Sequence, residues 1–192
     1  MTSKKVADED QDERIPFQVT AGSQPYDRIH HFPVTVLLED LRSAFNVGSF
    51  FRTADAASIE RLILCGISSC PPHKGVLKTA LGAEDTVPWD HRENSVEAAL
   101  EYRQRGYELA VIETGVHSVD LFDWQPQFPV CVIFGNELDG VGPDLVSLCD
   151  SFVRIPMLGL KHSLNVSTAG GIVMYELLRK YRNLTRPVRC GN

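Results

Sequence analysis

The sequence lacks the features that mark several classes of protein. No apolar stretch reaches the ~18 residues that a membrane-spanning helix needs, and the first residues do not follow the pattern of a signal peptide. The five cysteines contain no C-x-x-C pair, and the six histidines show no H-x-x-x-H spacing. These absences predict a cytoplasmic protein that keeps its thiols reduced, binds no metal and does not contact a membrane.

Phosphate-binding fingerprints are also missing. The sequence has no G-x-G-x-x-G, and Gly135 and Gly140, which have the spacing of a P-loop, are followed by Val141 and Gly142. A P-loop would require Lys and then Ser or Thr at these two places. A nucleotide-binding enzyme of the doubly wound type, acting on a small molecule, is therefore disfavoured and is kept only as an alternative.

Positive charge is scarce, because Lys and Arg number 19 against 25 Asp and Glu, for a net charge of −6. This excess argues against a protein that coats nucleic acid by bulk electrostatics. The charge is nevertheless segregated. Residues up to Val34 carry four basic and six acidic side chains, Leu177–Asn192 carries five basic and no acidic ones, and the middle therefore has a net charge of −9. Contact with a polyanion would have to come from local patches; for the basic end, a solvated helix terminus is the alternative, since the helix dipole favours it anyway.

The 192 residues, 43% of them apolar and 23% charged, fit one soluble α/β domain. We expect a flexible arm over residues 1–33, a domain over 34–183 and a basic tail over 184–192. Strand and helix patterns alternate, which predicts a mainly parallel sheet with helices on both faces. The expected strands are Val34–Leu38, Arg61–Cys65, Glu108–Ile112, Val130–Phe134 and Phe152–Ile155. Helices are expected from Asn46, near Val76–Leu81, and over Ser95–Arg105, Pro143–Cys149 and Asn165–Tyr181.

Three unusual segments follow predicted strands, where ligands bind in an open parallel sheet. In the first segment, residues 46–54, we expect Asn46 to cap a helix. Arg52 would then extend over the bare backbone of Gly48 and present its guanidinium to a phosphate or a developing oxyanion. The alternative, which this segment alone favours, is a surface pair between Arg52 and Asp55, with Gly48 present for close packing.

The second segment, Gly135–Gly142, directly follows the apolar run VCVIF. Its three glycines permit positive φ angles and a close approach of backbone to a ligand. The loop has one early acid, Glu137, and no phosphate-binding lysine, so it suits an adenosine-like ligand better than a triphosphate. A glycine-rich turn between strand and helix is the alternative, although it leaves Glu137 unexplained.

The third segment, Ile155–Ser167, leads into a predicted helix. Ser163, Asn165 and Ser167 alternate there with apolar Leu164 and Val166. Hydroxyl and amide groups at the start of a helix can bind a ligand or can serve only as helix caps, and taken singly the second interpretation is favoured.

Together and in this order, the segments resemble the motifs of the SpoU (TrmH-like) family of the SPOUT superfamily of RNA methyltransferases. The motif N-x-G-x-x-x-R-x-A is matched by Asn46, Gly48, Arg52 and Ala54, and G-N-E-x-x-G is matched by Gly135, Asn136, Glu137 and Gly140. The motif I-P-M followed by S-L-N-V-S-x-A is matched by Ile155, Pro156, Met157, Ser163, Leu164, Asn165, Val166, Ser167 and Ala169. The stretch Lys78–Glu84 also resembles the family's K-x-x-x-G-A, and the likeness spans about residues 34–181.

The resemblance implies a methyltransferase that uses S-adenosyl-L-methionine to methylate a ribose 2′-hydroxyl of RNA. It also implies a deep C-terminal trefoil knot and a homodimer with the site at the interface. The catalytic residues would be Arg52, Asn46, Glu137, Ser163 and Asn165. The cofactor-binding residues would be Phe134, Gly135, Asn136, Gly140, Ile155, Met157, Ser163, Leu164 and Asn165. Contacts with RNA would come from Arg42, Lys74, Lys78, Arg182 and Arg186.

The chemistry of the reaction suggests that Arg52 does not act as the base. A guanidinium stays protonated at neutral pH and is a poor proton acceptor. Our hypothesis is that Arg52 positions the ribose or its phosphate and stabilises alkoxide charge, while a phosphate oxygen or water accepts the proton. Because the arm is too short for an accessory RNA-binding domain, tRNA is expected ahead of rRNA. A catalytically silent RNA-binding or assembly protein of the same knotted fold is the main alternative.

Overall fold

A computed structural model describes residues 32–115 and 118–185 of the chain, and these residues form one parallel sheet covered by helices. The strands are β1 Val34–Glu39, β2 Arg61–Cys65, β3 Trp89–Arg92, β4 Glu108–Ile112, β5 Val119–Asp120, β6 Val130–Phe134 and β7 Ser151–Arg154. They lie in the order β3-β2-β1-β6-β4-β7-β5, and each neighbouring pair is parallel. The predicted fold class is therefore confirmed.

Helices cover both faces of this sheet. They are α1 Ala44–Ala57, α2 Lys74–Ala80, α3 Ser95–Gln104, α4 Pro143–Val146 and α5 Val166–Thr185, with a 3-10 turn at Ala83–Asp85. Successive side chains of a strand point to opposite faces. On β1, Val36 accordingly packs in one core with Phe50 of α1, and Leu37 packs in a second core with Tyr102 of α3. Each central strand thus serves two hydrophobic cores, which explains why β1 and β6 are buried along their whole length.

Helix α5 runs from the carboxyl edge of the sheet back to its amino edge. Near its start, a Cβ at Gly170 would lie 2.2 Å from the ring of Phe50, so a glycine is needed for α5 to pack this closely on α1. Near its end, the ring of Tyr181 packs against Phe32 and Phe128 at centroid distances of 5.4 and 5.1 Å. Phe32 and Phe128 directly precede β1 and β6, so α5 ends at the amino ends of the central strands.

The buried central strands lie where the sequence predicts them, but the two edge strands, β3 and β5, are not predicted. Edge strands are commonly short and charged, since only one side of each is paired. Strand β3 has the sequence WDHR with its last two residues exposed, and β5 has two residues, so neither carries an apolar pattern. The loop expected over residues 67–89 ends in this missed strand.

Several predicted boundaries also move. Helix α1 begins at Ala44 rather than Asn46, because the Ser43 hydroxyl accepts a hydrogen bond from the Asn46 amide at 3.3 Å and acts as the N-cap. Strand β7 lies one residue earlier than expected, and α5 continues four residues beyond Tyr181. The N-terminal arm up to residue 31, Arg186 and the tail beyond Thr185 lie outside the described residues. The knot and the domain boundaries stay predictions.

Candidate active site

The three segments singled out in the sequence meet at the carboxyl edge of the sheet. Strands β1, β6, β4 and β7 are neighbours in that order, so the loops that follow them lie side by side. The residues after β1 lead into α1, those after β6 form the glycine-rich loop, and those after β7 lead towards α5. The parallel arrangement therefore brings together three segments, the first and last of which are more than 100 residues apart in the chain.

The Glu137 carboxylate holds the start of α1. It accepts hydrogen bonds from the backbone amides of Arg42 and Ser43, at 3.0 and 3.3 Å, and from the side-chain Nδ2 of Asn46 at 3.0 Å. Partial burial opposes ionisation of Glu137, but the bonds from Arg42, Asn46 and Ser43 outweigh it and lower the pKa of this carboxyl. Glu137 is thus held as an anion at the amino end of a helix, where the helix dipole favours negative charge.

Asn46 carries the connection on to the third segment. A carboxylate can only accept hydrogen bonds, so Glu137 takes the Nδ2 of Asn46 and leaves its Oδ1 free to accept. That Oδ1 accepts from Asn165 Nδ2 at 3.1 Å, while the Ser167 hydroxyl donates to Asn165 Oδ1 at 2.6 Å. Asn165 Oδ1 in turn accepts from the backbone amides of Ser167 and Thr168 at the start of α5. Glu137, Asn46 and Asn165 form one chain of side-chain hydrogen bonds through all three segments.

The glycine-rich loop is folded tightly on itself. Asn136 and Gly140 exchange backbone hydrogen bonds of 2.9 and 3.0 Å. A Cβ at Gly135 would lie 2.2 Å from the carbonyl of Gly140, and Gly140 has a φ of +73°, so both positions require glycine. The side chain of Asn136 accepts from the Leu138 amide at 2.9 Å and donates to the Asp40 carbonyl at 2.8 Å, which fixes the loop against β1.

A cavity of about 300 Å³ opens beside this loop. Its lining includes eight of the predicted cofactor residues: Phe134, Gly135, Asn136, Gly140, Ile155, Met157, Ser163 and Leu164. Glu137 also lines it, together with six residues that were not predicted as site residues: Ile112, Glu113, Thr114, Leu138, Val166 and Ala169. Asn165 is not part of the lining and takes part through its hydrogen bonds with Asn46 and α5.

Comparison with known proteins identifies the family to which the chain belongs. The sequence model of the SpoU rRNA Methylase family matches residues 33–175. The chain belongs to the SpoU methylase family. A TrmH-family protein of Staphylococcus haemolyticus is 32% identical over 145 residues, which are 76% of this chain and 58% of that protein. The 23S rRNA (guanosine-2′-O-)-methyltransferase RlmB of Vibrio parahaemolyticus is 30% identical over 79% of this chain and 61% of its own length.

Solved SpoU-type structures share the fold. The TrmH/SpoU tRNA modifying enzyme of A. aeolicus has a TM-score of 0.71 at 28% identity, over 81% of this chain and 80% of that enzyme. The AdoMet-bound rRNA methyltransferase of Sinorhizobium meliloti has a TM-score of 0.70 at 26% identity, over 80% of this chain and 57% of that one. This SpoU-family chain spans about three fifths of the length of the curated relatives it matches.

Two carboxylates that sequence reasoning missed accept hydrogen bonds from backbone amides of the glycine-rich loop. Glu113, directly after β4, accepts from the Val141 amide at 2.9 Å and lines the cavity. Glu39, the last residue of β1, is buried and accepts from the Gly142 amide at 2.7 Å and from the Ser95 hydroxyl at 2.6 Å. The available signal was an acid at the carboxyl end of a buried strand, which is where a parallel sheet gathers its functional loops.

In the first SpoU motif, Gly48 and Arg52 have different surroundings. Gly48 is buried, and a Cβ there would lie 2.1 Å from the Thr79 hydroxyl and 2.3 Å from the Val76 carbonyl. The space over Gly48 is therefore occupied by α2, so the prediction that Arg52 extends over this glycine is wrong, and the close-packing alternative for Gly48 agrees with the structure. Arg52 is exposed on α1, and Asp55 accepts a hydrogen bond from Thr86 at 2.7 Å.

The predicted RNA-binding residues lie at both edges of the sheet. Arg42, Lys74 and Lys78 are exposed near the start of α1. A Cβ at Gly75 would lie 2.8 Å from the Cβ of Ala44, which places Lys74 and the start of α2 beside the start of α1. Arg182 follows Tyr181 at the amino edge of the sheet, so the structure separates it from the cavity.

Two further features concern membranes and metals. No helix in residues 32–115 and 118–185 has the length and apolar character needed to cross a membrane. The same residues contain no group of three or more His, Cys, Asp or Glu side chains placed to hold a metal ion.

Proposed function

We propose that this SpoU-family chain transfers a methyl group from S-adenosylmethionine to a ribose 2′-hydroxyl of RNA. The observation that carries the proposal is the hydrogen-bonded chain Glu137–Asn46–Asn165, which links the three family motifs beside the cavity. If the glycine-rich loop were only a structural turn, Glu137 would be expected to make its hydrogen bonds within that loop. Instead, Glu137 accepts hydrogen bonds from residues at the start of α1. The side chains thus hold two helix starts and one loop in a fixed relation at a single opening.

The cavity fits the proposed cofactor in size and chemistry. Its volume of about 300 Å³ lies within the range of small-molecule sites. Apolar Phe134, Ile155 and Leu164 offer contacts for an adenine ring, while the loop backbone and Ser163 offer hydrogen-bonding groups. The Sinorhizobium meliloti relative holds AdoMet in its solved structure, which supports the assignment. When bound, the sulfonium of this cofactor supplies a methyl group that is already activated for attack.

The chain's own residues then have to align the hydroxyl and manage its proton. Arg52 positions the ribose or its phosphate and stabilises the developing alkoxide. The oxygen–methyl bond forms as the sulfur–methyl bond breaks, and the proton passes to a phosphate oxygen or to water. Asn46 and Glu137 hold the start of the helix that carries Arg52, and Ser163 and Asn165 complete the site from the third motif.

Among RNA substrates, we propose tRNA ahead of rRNA. The A. aeolicus tRNA modifying enzyme matches over 80% of its own length, whereas the rRNA methyltransferases of Vibrio parahaemolyticus and Sinorhizobium meliloti match over 61% and 57%. The relative that is named for tRNA therefore shares more of its architecture with this chain.

We also propose that the enzyme acts in the cytoplasm as a homodimer, as the family resemblance implies. Leu158 and Leu160, in the loop after β7, are 98% and 97% exposed. Two leucines this exposed, close to the cavity, are consistent with a surface that a second subunit covers. Sedimentation equilibrium of the full chain should give twice the monomer mass of 21.4 kDa.

The decisive experiment gives the purified full chain labelled S-adenosylmethionine with unmodified tRNA and, separately, unmodified rRNA. Nuclease digestion and mapping of the labelled nucleoside should yield a 2′-O-methylated ribose, in tRNA first. A methylated base would contradict the ribose assignment. Cofactor binding and RNA binding without transfer would favour the catalytically silent alternative, and labelling of rRNA alone would reverse the order of substrates.

A further inference from the structure

Phe45 presents an aromatic ring to solvent at the start of α1. The side chain is 52% exposed and directly precedes Asn46, the first residue of the motif. Its backbone is held firmly, because its carbonyl accepts hydrogen bonds of 2.9 Å from the hydroxyls of both Ser49 and Thr79. The ring is therefore exposed from a fixed backbone rather than from a loose loop.

One cation lies over this ring, and two others are exposed in the segments beside it. Lys78 Nζ lies over it, 5.7 Å from the ring centroid, and Arg42 and Lys74 are exposed nearby. Within the described parts of the chain, none of these three cations has a carboxylate within salt-bridge distance. An exposed aromatic face bordered by unneutralised cations suits an anionic ligand with a flat apolar part, which describes a nucleotide in single-stranded RNA.

The ring shares a helix face with Arg52. Positions i, i+4 and i+7 of an α-helix lie on one side, so Phe45, Ser49 and Arg52 form one row. Arg52 is exposed about 10 Å further along the helix axis. A nucleotide stacked on Phe45 would therefore lie on the helix face that also carries Arg52.

We propose that Phe45 is the platform on which a base of the RNA substrate stacks, with Lys78 and its neighbours binding the adjoining phosphates. The inference rests on the proposed function, because it uses the same opening and the same role for Arg52. It adds the kind of RNA that the site takes: a nucleotide whose base is unstacked from its neighbours, as in a loop or a bulge.

The test compares Phe45→Ala, Phe45→Trp and Phe122→Ala in the full chain. Phe122 is the matched control, since its ring is 58% exposed, its carbonyl is bound by Lys180 of α5, and it does not line the cavity. We expect Phe45→Ala to raise the KM for RNA by about tenfold, the usual loss for one stacked base, with the cofactor Kd unchanged. Phe45→Trp and Phe122→Ala should keep the wild-type KM.

A binding measurement separates this inference from the proposed function. Fluorescence anisotropy of a labelled single-stranded oligoribonucleotide should show about tenfold weaker binding to Phe45→Ala even if the wild type transfers no methyl group. Absent transfer by the wild type would overturn the proposed function alone. Equal RNA affinity of wild type and Phe45→Ala would overturn the stacking platform alone.

Two other outcomes bear on the same surface. Lys78→Gln should lower the slope of log affinity against log salt by about 0.7, the value for one phosphate contact in a single strand. If Phe45→Ala instead turns a dimer into a monomer in sedimentation, the ring is a contact between two copies of the chain and the proposal fails.

Discussion

The central strands have different surroundings at the two edges of the sheet: aromatic rings at the amino edge and polar side chains at the carboxyl edge. At the amino edge, the rings of Phe32, Phe128 and Tyr181 pack on one another at centroid distances of 5.1 to 6.3 Å. At the carboxyl edge, half-buried and exposed polar side chains such as Glu137 and Asn46 are tied together by hydrogen bonds. Aromatic packing that excludes water contributes mainly to stability, whereas polar groups left at an opening remain available to a ligand.

This contrast predicts that substitutions at the two edges will have different effects. Changes at the amino edge should mainly lower the free energy of unfolding and leave methyl transfer intact, while changes at the carboxyl edge should mainly lower methyl transfer. The chain allows matched comparisons, because arginine and lysine occur at both edges.

The largest effect is expected for Arg52→Lys at the carboxyl side. Lysine keeps the charge but lacks the planar fork that binds a phosphate or an alkoxide through two N–H groups. We expect the single-turnover rate on bound RNA to fall by about 10² to 10³, the range for loss of one such donor. Because Arg52 is exposed, the unfolding temperature should not change.

Arg182→Lys is the matched control for this experiment, because Arg182 lies on the last turn of α5 at the amino edge. It should transfer methyl groups at the wild-type rate. A wild-type rate for Arg52→Lys would remove the proposed role of Arg52, and equal losses in both variants would show that the two edges do not differ in function.

The next effect concerns stability at the amino edge. Lys180 is only 7% exposed. Its ammonium donates hydrogen bonds to the Phe122 carbonyl, at 3.0 Å, and to the Trp124 carbonyl, and it lies 3.5 Å from the Glu176 carboxylate. Lys180→Met leaves these carbonyls without their donor, so we expect a loss of about 2 to 3 kcal/mol in the free energy of unfolding.

Urea unfolding measures this loss, and Lys161→Met, at an exposed position, serves as its control. Methyl transfer by Lys180→Met at a temperature where the variant stays folded should equal that of the wild type. If transfer falls while the protein remains folded, the amino edge contributes to function as well as to stability.

The same contrast explains how far the sequence alone could go. Buried strands such as VCVIF were predictable, because an apolar run on both faces has few other interpretations. The three motif segments were predictable as neighbours, because the carboxyl ends of parallel strands share one edge. The edge strand WDHR was not predictable, since its pairing with β2 depends on tertiary contacts and its own pattern is polar.

The misplaced start of α1 shows a second kind of limit. Ser43 and Asn46 are both good N-cap residues, and they lie three positions apart, so local preference cannot choose between them. The choice depends on Glu137, 91 residues from Asn46 in the chain, which takes the Asn46 side chain for its own hydrogen bond. Glu113 and Glu39 were missed for a similar reason, because the amides they bind belong to a distant loop.

The smallest effect expected is a dependence of stability on pH that comes from Glu137. Its pKa is lower in the folded chain than its ordinary value, so it stabilises the fold above that value and loses this contribution as the pH falls through the folded pKa. Glu137→Gln keeps the shape but replaces one of the two acceptor oxygens by an NH2 group that donates, so either the Arg42 amide, or the Ser43 amide together with Asn46 Nδ2, loses its acceptor. Since the group is partly exposed, the loss at pH 7 should be about 1 kcal/mol.

Urea unfolding at pH 7 and at pH 3 measures this contribution as the difference between wild type and Glu137→Gln. Asp139→Asn is the control, because Asp139 is an exposed acid of the same loop whose backbone amide, not its carboxylate, makes the loop hydrogen bond. The difference for Glu137 should shrink as the carboxyl becomes protonated, while Asp139→Asn should match the wild type at both pH values. A difference that persists at pH 3 would mean that the loss in Glu137→Gln does not come from the negative charge of the carboxylate. A difference that shrinks as expected would show that the carboxyl edge also contributes to stability, through the one anion that holds the start of α1.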